Sequence, residues 1–154
     1  MGTALESIHI ALRTVEISVQ RITIMSLMLM LTDTPMIAII DDDVAVREAT
    51  RSLLGSLGYT ASIFASAEEF LQSDTRRGAS CIISDVQMPG MNGLALQQCL
   101  IADQQRVPII FITAFPDKDI QQRALSAGAH GFLTKPYSEQ SLISNIESAL
   151  QKQM

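Results

Sequence analysis

Short runs of apolar, mostly β-branched residues alternate with longer stretches in which apolar positions recur every three or four residues, and the alternation holds from Met36 onward. The runs at 36–40, 59–64, 81–84, 108–112 and 131–134 predict five strands. Between them the spacing predicts helices. One lies near 44–56, with Val46, Ala49, Leu53, Leu54 and Leu57 on its apolar face and an end at Gly58. Ser66 followed three residues later by Glu69 is a capping box that opens a short helix carrying Phe70 and Leu71, with 76–80 as its loop. Asn92 or Gly93 starts a third helix with Leu94, Leu96, Cys99 and Leu100, and Asp117 opens a fourth with Ile120, Ala124 and Leu125 before Gly128. Ser138 opens the last, whose face is Leu142, Ile146, Ala149 and Leu150. Repeated βα units predict an α/β fold with a parallel sheet covered by helices on both faces.

Residues 1–35 fit no βα unit, which divides the chain into an N-terminal extension, 1–35, and one domain, 36–154. Leu5, Ile8, Leu12, Val15, Val19, Ile22 and Leu29 occupy the a and d positions of a heptad broken only by Ser26, the pattern of a dimerising helix. The same stretch reads equally as an upstream extension, since Met25, Met28, Met30 and Met36 offer later starts. Its apolar run at 22–31 is too short to span a bilayer, and it lacks the small-residue cleavage pattern of a signal peptide.

Composition narrows the function classes. A chain of 154 residues, 47% apolar, has room for one ordinary core, and with no Trp that core is built from aliphatic residues. The net charge is −5, and only Arg76 and Arg77 are adjacent basic residues. That balance argues against direct nucleic-acid binding, which needs a basic stripe to neutralise phosphates, and nothing points to a membrane. Cys81 and Cys99 have neither CxxC nor metal-ligand spacing and are expected to be reduced core residues in a cytoplasmic protein.

The chemistry lies at the strand ends. Asp41 and Asp42, Asp85, Thr113 and Lys135 follow four of the predicted strands, and in an open parallel sheet all strands end on one edge, where ligands bind at the reversal of strand order. Three crowded carboxylates repel one another unless a hard divalent cation sits among them, and Mg2+, which takes one or two carboxylates, waters and a substrate phosphate, suits the site. Asp85 is then a nucleophile for a phosphoryl group, Lys135 the neutralising cation, and the Thr113 hydroxyl a donor that senses the modification.

At these residues the chain resembles the receiver domain of bacterial two-component response regulators, nearest the FixJ-like branch. The resemblance covers Met36 to about Lys152 and rests on Ile39-Ile40-Asp41-Asp42-Asp43, Ser84-Asp85-Val86-Gln87-Met88-Pro89-Gly90-Met91-Asn92-Gly93, Phe111-Ile112-Thr113-Ala114, Ala127-Gly128-Ala129 and Phe132-Leu133-Thr134-Lys135-Pro136-Tyr137, in order. It implies a flavodoxin-like (βα)5 three-layer sandwich with strand order 2-1-3-4-5. By the same resemblance Asp85 is the phosphoacceptor, taking its phosphoryl group from a sensor histidine kinase or phosphotransfer protein. Asp42, Asp85 and the backbone carbonyl of Gln87 hold Mg2+, Asp41 acts through a bound water, and Asp43 is a further carboxylate beside the pair. Phe132 is the switch aromatic coupled to Thr113, and the Lys135–Pro136 bond is cis. The segment 117–150 becomes the surface for a downstream protein target or a homodimer. The expected role is a stand-alone signalling switch, not an enzyme in the ordinary sense, with no DNA-binding output domain in the chain.

Blander readings exist for each motif. An Asp run after a strand is often a helix N-cap, Pro89-Gly90 and Asn92-Gly93 are ordinary turn dipeptides, and His130 reads as a surface residue. Phe115 and Pro116 depart from the FixJ-like pattern beside Thr113. A phosphatase of the haloacid dehalogenase type also uses Asp, Thr, Lys and magnesium. Its later acidic pair has no counterpart, because Glu139 and Glu147 fall on the last predicted helix.

Overall fold

The computed structural model describes residues 4–30 and 34–153, and the chain divides into two units, Met1–Asp33 and Thr34–Met154. In the first, α1 runs from Ala4 to Met30 as one helix. The heptad position Leu29 lies outside the residues whose side chains are described.

The second unit contains β1 (Met36–Ile40), α2 (Val44–Ser56), β2 (Thr60–Phe64), α3 (Ala67–Gln72), α4 (Thr75–Gly78), β3 (Cys81–Asp85), α5 (Gly93–Ala102), β4 (Ile109–Thr113), α6 (Lys118–Ser126), β5 (Gly131–Thr134) and α7 (Glu139–Gln151). The five strands pair in parallel in the order β2-β1-β3-β4-β5. This is the flavodoxin-like sandwich expected from the sequence, and the strand order reverses between β1 and β3.

Alternation along the strands feeds two cores. Ala38, Ile40, Ile82 and Phe111 face Phe70, Leu96, Leu100 and Ala124 of α3, α5 and α6. Ile37, Ile39, Ile83, Ile110 and Ile112 face Leu54 of α2 and Leu142, Ile146 and Ala149 of α7. Each fully buried aliphatic side chain stabilises the fold by about 1.5–3 kcal/mol, so the sheet is held from both sides. The helix starts follow local capping. The side chains of Asp43, Ser66, Asn92, Asp117 and Ser138 each accept a backbone N–H from the first turn they precede.

Several details differ from the sequence reading. The segment expected as a plain loop at 76–80 begins with the helical turn α4, held by Arg76, which bonds Asp103 and the Gln105 side chain. Leu57 and Leu125, assigned to apolar faces, are exposed, while Thr50 is buried in α2. Leu57 is the C-cap of α2 and so lies beyond the stripe that Val46, Thr50 and Leu54 continue at four-residue spacing. Cys81 is buried, but Cys99 is only partly so; both are free thiols.

Candidate functional site

Strand ends build the site. Asp41 directly follows β1, and its backbone N–H still bonds Phe64 of the neighbouring strand end at 3.2 Å, which holds it in line with the sheet. Asp85 is the last residue of β3 and pairs with Ile112 of β4, one residue further into the sheet than the sequence pattern indicates. Thr113 likewise closes β4, and the Lys135 N–H donates to the Thr113 carbonyl at 2.8 Å just beyond β5. The Lys135–Pro136 peptide is cis.

The side chains meet. Lys135 Nζ stands 3.2 Å from Asp41 Oδ2 and 3.6 Å from Asp85 Oδ2. Asp41 is 3% exposed, and its other oxygen accepts the Asp43 N–H at 2.9 Å, so both of its oxygens are engaged. Asp42 is exposed. Asp41, Asp42 and Asp85 can each offer a carboxylate oxygen within a span of 4.8 Å. Asp43, expected as a further carboxylate of the site, instead caps α2, its Oδ1 accepting from Ala45 and Val46 at 2.9 and 3.4 Å. A carboxylate already satisfied by a helix N-terminus has no reason to turn toward its like-charged neighbours.

Charge and burial act together on Asp85 and Lys135. Burial is the main cause that raises the Asp85 carboxyl above its ordinary value; Asp41 and Asp42 add to it, while the Gln87 N–H and Lys135 oppose it. That N–H donates to Asp85 Oδ1 at 3.1 Å, which leaves Oδ2 as the oxygen facing the lysine. Burial disfavours the Lys135 ammonium, but Asp41 and Asp85 outweigh it and raise the group overall. Three carboxylates against one ammonium leave a formal charge of −2, which a single hard divalent cation balances.

Thr113 and Phe132 sit at the side of this cluster. The Thr113 hydroxyl is 1% exposed as a residue and is held in its own turn, accepting from Phe115 N at 3.1 Å and donating to Phe115 O at 3.2 Å. Phe132 is partly buried and packs against Phe111 with ring centroids 6.3 Å apart. The Phe115 side chain is 67% exposed.

Two supporting groups escaped the sequence reading. Arg47 of α2 donates to the Asp41 carbonyl at 2.6 Å, and Glu68 of α3 accepts the Met91 N–H at 2.7 Å, tying down the loop that follows Asp85. That N–H and Glu68's own hold its carboxyl below the usual range. Gly90 belongs to the same clasp, because at φ +76° a side chain is strained and its Cβ would meet Glu68 Oε1 at 2.6 Å. Glu68 looks in the sequence like an ordinary first-turn acid, and only the fold brings it to residue 91. His130, set aside as a surface residue, is half-buried and meets Ser148 Oγ at 3.2 Å, away from the cluster.

Comparison with known proteins shows the family and the fold. Residues 37–147 match the family described as the response regulator receiver domain. The response regulator protein TodT of Pseudomonas putida is 43% identical over 114 residues, covering 74% of this chain and 50% of TodT. The transcriptional regulatory protein FixJ of Bradyrhizobium diazoefficiens is 36% identical over 116 residues, covering 75% of this chain and 57% of FixJ. Among solved structures, the response regulator StyR superposes with a TM-score of 0.71 at 43% identity, covering 77% of this chain and 60% of that one. The chain thus spans about half the length of the curated relatives it matches. No helix among the described residues is long and apolar enough to cross a membrane.

Proposed function

This chain belongs to the response regulator receiver domain family of two-component signalling, and on that premise we propose that Asp85 accepts a phosphoryl group from the phosphohistidine of a sensor kinase or phosphotransfer protein in the cytoplasm. The observation that carries the reading is the Lys135 ammonium shared between Asp41 and Asp85 at the end of a sheet that also brings Asp42 within reach. Asp85 Oδ2 is the nucleophile, since Oδ1 is held by the Gln87 N–H. Its bond to phosphorus forms as the P–N bond of the phosphohistidine breaks, and the imidazole leaves with the electron pair and takes a proton. Lys135 pairs with a phosphoryl oxygen beside the attacked atom. Asp42, Asp85 and the Gln87 carbonyl would hold Mg2+, with Asp41 engaged through water, and the ion when bound neutralises phosphoryl oxygens.

Sensing then falls to Thr113, whose hydroxyl exchanges its Phe115 partners for a phosphoryl oxygen. Phe132, packed on Phe111, follows by moving inward. The surface formed by α6, β5 and α7 is the output, open to a downstream protein or to a second receiver. The net charge of −5 and scattered basic residues of the chain favour a protein contact over direct nucleic-acid binding.

Intact-protein mass after incubation with acetyl phosphate tests the reading. The expected result is one magnesium-dependent phosphoryl adduct, labile to hydroxylamine and absent in Asp85→Asn. An adduct that persists in that variant, or no adduct together with no binding of beryllium fluoride, overturns it.

A further inference from the structure

Helix α1 carries eleven large apolar side chains, from Leu5 to Leu27, each more than half exposed, and among the described residues its own unit holds no second element to bury them against. They are not equivalent. Leu5, Ile8, Leu12, Val15, Val19 and Ile22 follow one another at alternating spacings of three and four, so each has apolar neighbours one turn away on the same face. Ile10 and Ile17 lie on the opposite face at seven-residue spacing, and every neighbour three or four residues away is polar: Glu6, Ser7, Arg13 and Thr14 around one, Arg13, Thr14, Gln20 and Arg21 around the other. A row of isolated residues ringed by polar groups offers no holes for knobs to enter; the six-residue seam does.

We infer that α1 pairs antiparallel with the same helix of a second copy of this chain through this seam. In an antiparallel pair each a residue lies against a d residue of the partner. One register sets Leu5 against Ile22, Ile8 against Val19 and Leu12 against Val15, and it leaves none of the six unpaired. The flanks agree with that orientation. In this register e faces e, which brings His9 against Glu16 on both sides of the dimer axis, and g faces g, which brings the small Ala11 against Ser18. A parallel pair would set g against e, placing Ala11 beside Glu16 and Ser18 beside Thr23, with no complementary contact. Antiparallel helices also oppose their dipoles favourably. The hydroxyls of Thr14 and Thr23 already bond the carbonyls of Ile10 and Val19 in their own helix, so drawing a partner close strands neither.

The test uses the full, unphosphorylated chain. Sedimentation equilibrium of the parent should show a dimer. Val15→Glu should weaken it about a hundredfold, because it buries a charge in the seam, while Ile17→Glu leaves it unchanged; both variants should still take the acetyl phosphate adduct, which shows an intact receiver. Orientation is read in a Cys99→Ser background, where the remaining Cys81 is buried, and burial pushes its thiol up to about 12. Leu5→Cys mixed with Ile22→Cys should form an intermolecular disulfide that neither forms alone. A monomeric parent, a dimer that survives Val15→Glu or falls apart in Ile17→Glu, or a disulfide formed by Leu5→Cys alone would each overturn the proposal.

Discussion

The sheet ends in two very different edges. At the amino edge, beside the starts of β4 and β5, lies a cleft of about 840 Å³ bordered by Arg106, His130 and Lys152 and by no carboxylate among the described residues. At the carboxyl edge Asp41, Asp42, Asp85 and Lys135 crowd together within a few ångströms. The amino edge draws its polar groups from helix ends and loops, which have no reason to converge. The carboxyl edge draws them from successive strand ends, which parallel topology aligns. Unrelieved charge is therefore the better guide to chemistry here.

The contrast is sharpest at Gly93, where the chain turns back over Asp85. A Cβ there would meet the Asp85 carbonyl at 2.6 Å, a Phe111 ring carbon at 2.9 Å and Val86 Cα at 3.1 Å. Because two of these are backbone atoms with no room to shift, Gly93→Ala should cost about 3 kcal/mol, read from the urea midpoint; a parent-like midpoint would mean that the carboxyl edge is pliable. Next in size is Lys135→Met. It leaves the buried Asp41 carboxylate uncompensated and should destabilise by about 2 kcal/mol at neutral pH, read from the same midpoint.

Smaller and opposite in sign is Asp85→Asn. A carboxyl raised in the folded state contributes stability that is present below its unfolded value and lost as pH rises through its folded one. The variant should therefore be more stable than the parent at neutral pH, and the two should converge as pH falls below the ordinary carboxylate range. His130 at the other edge behaves in reverse. Burial, then Lys152, lowers it, so its contribution is present above the ordinary histidine value and is lost as pH falls through its folded one. Acidification thus eases one edge while it strains the other, and urea midpoints of Asp85→Asn and His130→Gln across pH separate the two. The least effect belongs to Gln97→Leu, within about 0.5 kcal/mol: it gives up the 3.0 Å bond to the Ala124 carbonyl but also removes a buried amide oxygen that has no partner.

Local signals account for what was legible in the chain. The strands carry apolar runs that no helix period fits, and Ser66, Asn92, Asp117 and Ser138 announce their helices because a cap needs only its own first turn. What stayed hidden depends on residues distant in sequence. The turn α4 has no apolar period and is held by Asp103 and Gln105, nearly thirty residues on. Glu68 reaches Met91 across 23 positions. Asp43 was ambiguous for a different reason: an aspartate before a helix and an aspartate beside a metal look alike until its oxygen is seen to be taken. The placing of Asp41, Asp85 and Lys135 on one edge needed topology alone, whereas the engagement of the Thr113 hydroxyl needed its turn.

That turn sets a threshold. A buried hydroxyl with both a donor and an acceptor already supplied by Phe115 is a closed circuit. A passing water or a neutral ligand offers it nothing it lacks, and only an acceptor stronger than a peptide carbonyl, such as an anionic oxygen, repays the exchange. In the role proposed above for Thr113, that satisfaction insulates the unmodified state from noise: the hydroxyl stays silent until an input worth breaking two bonds for arrives.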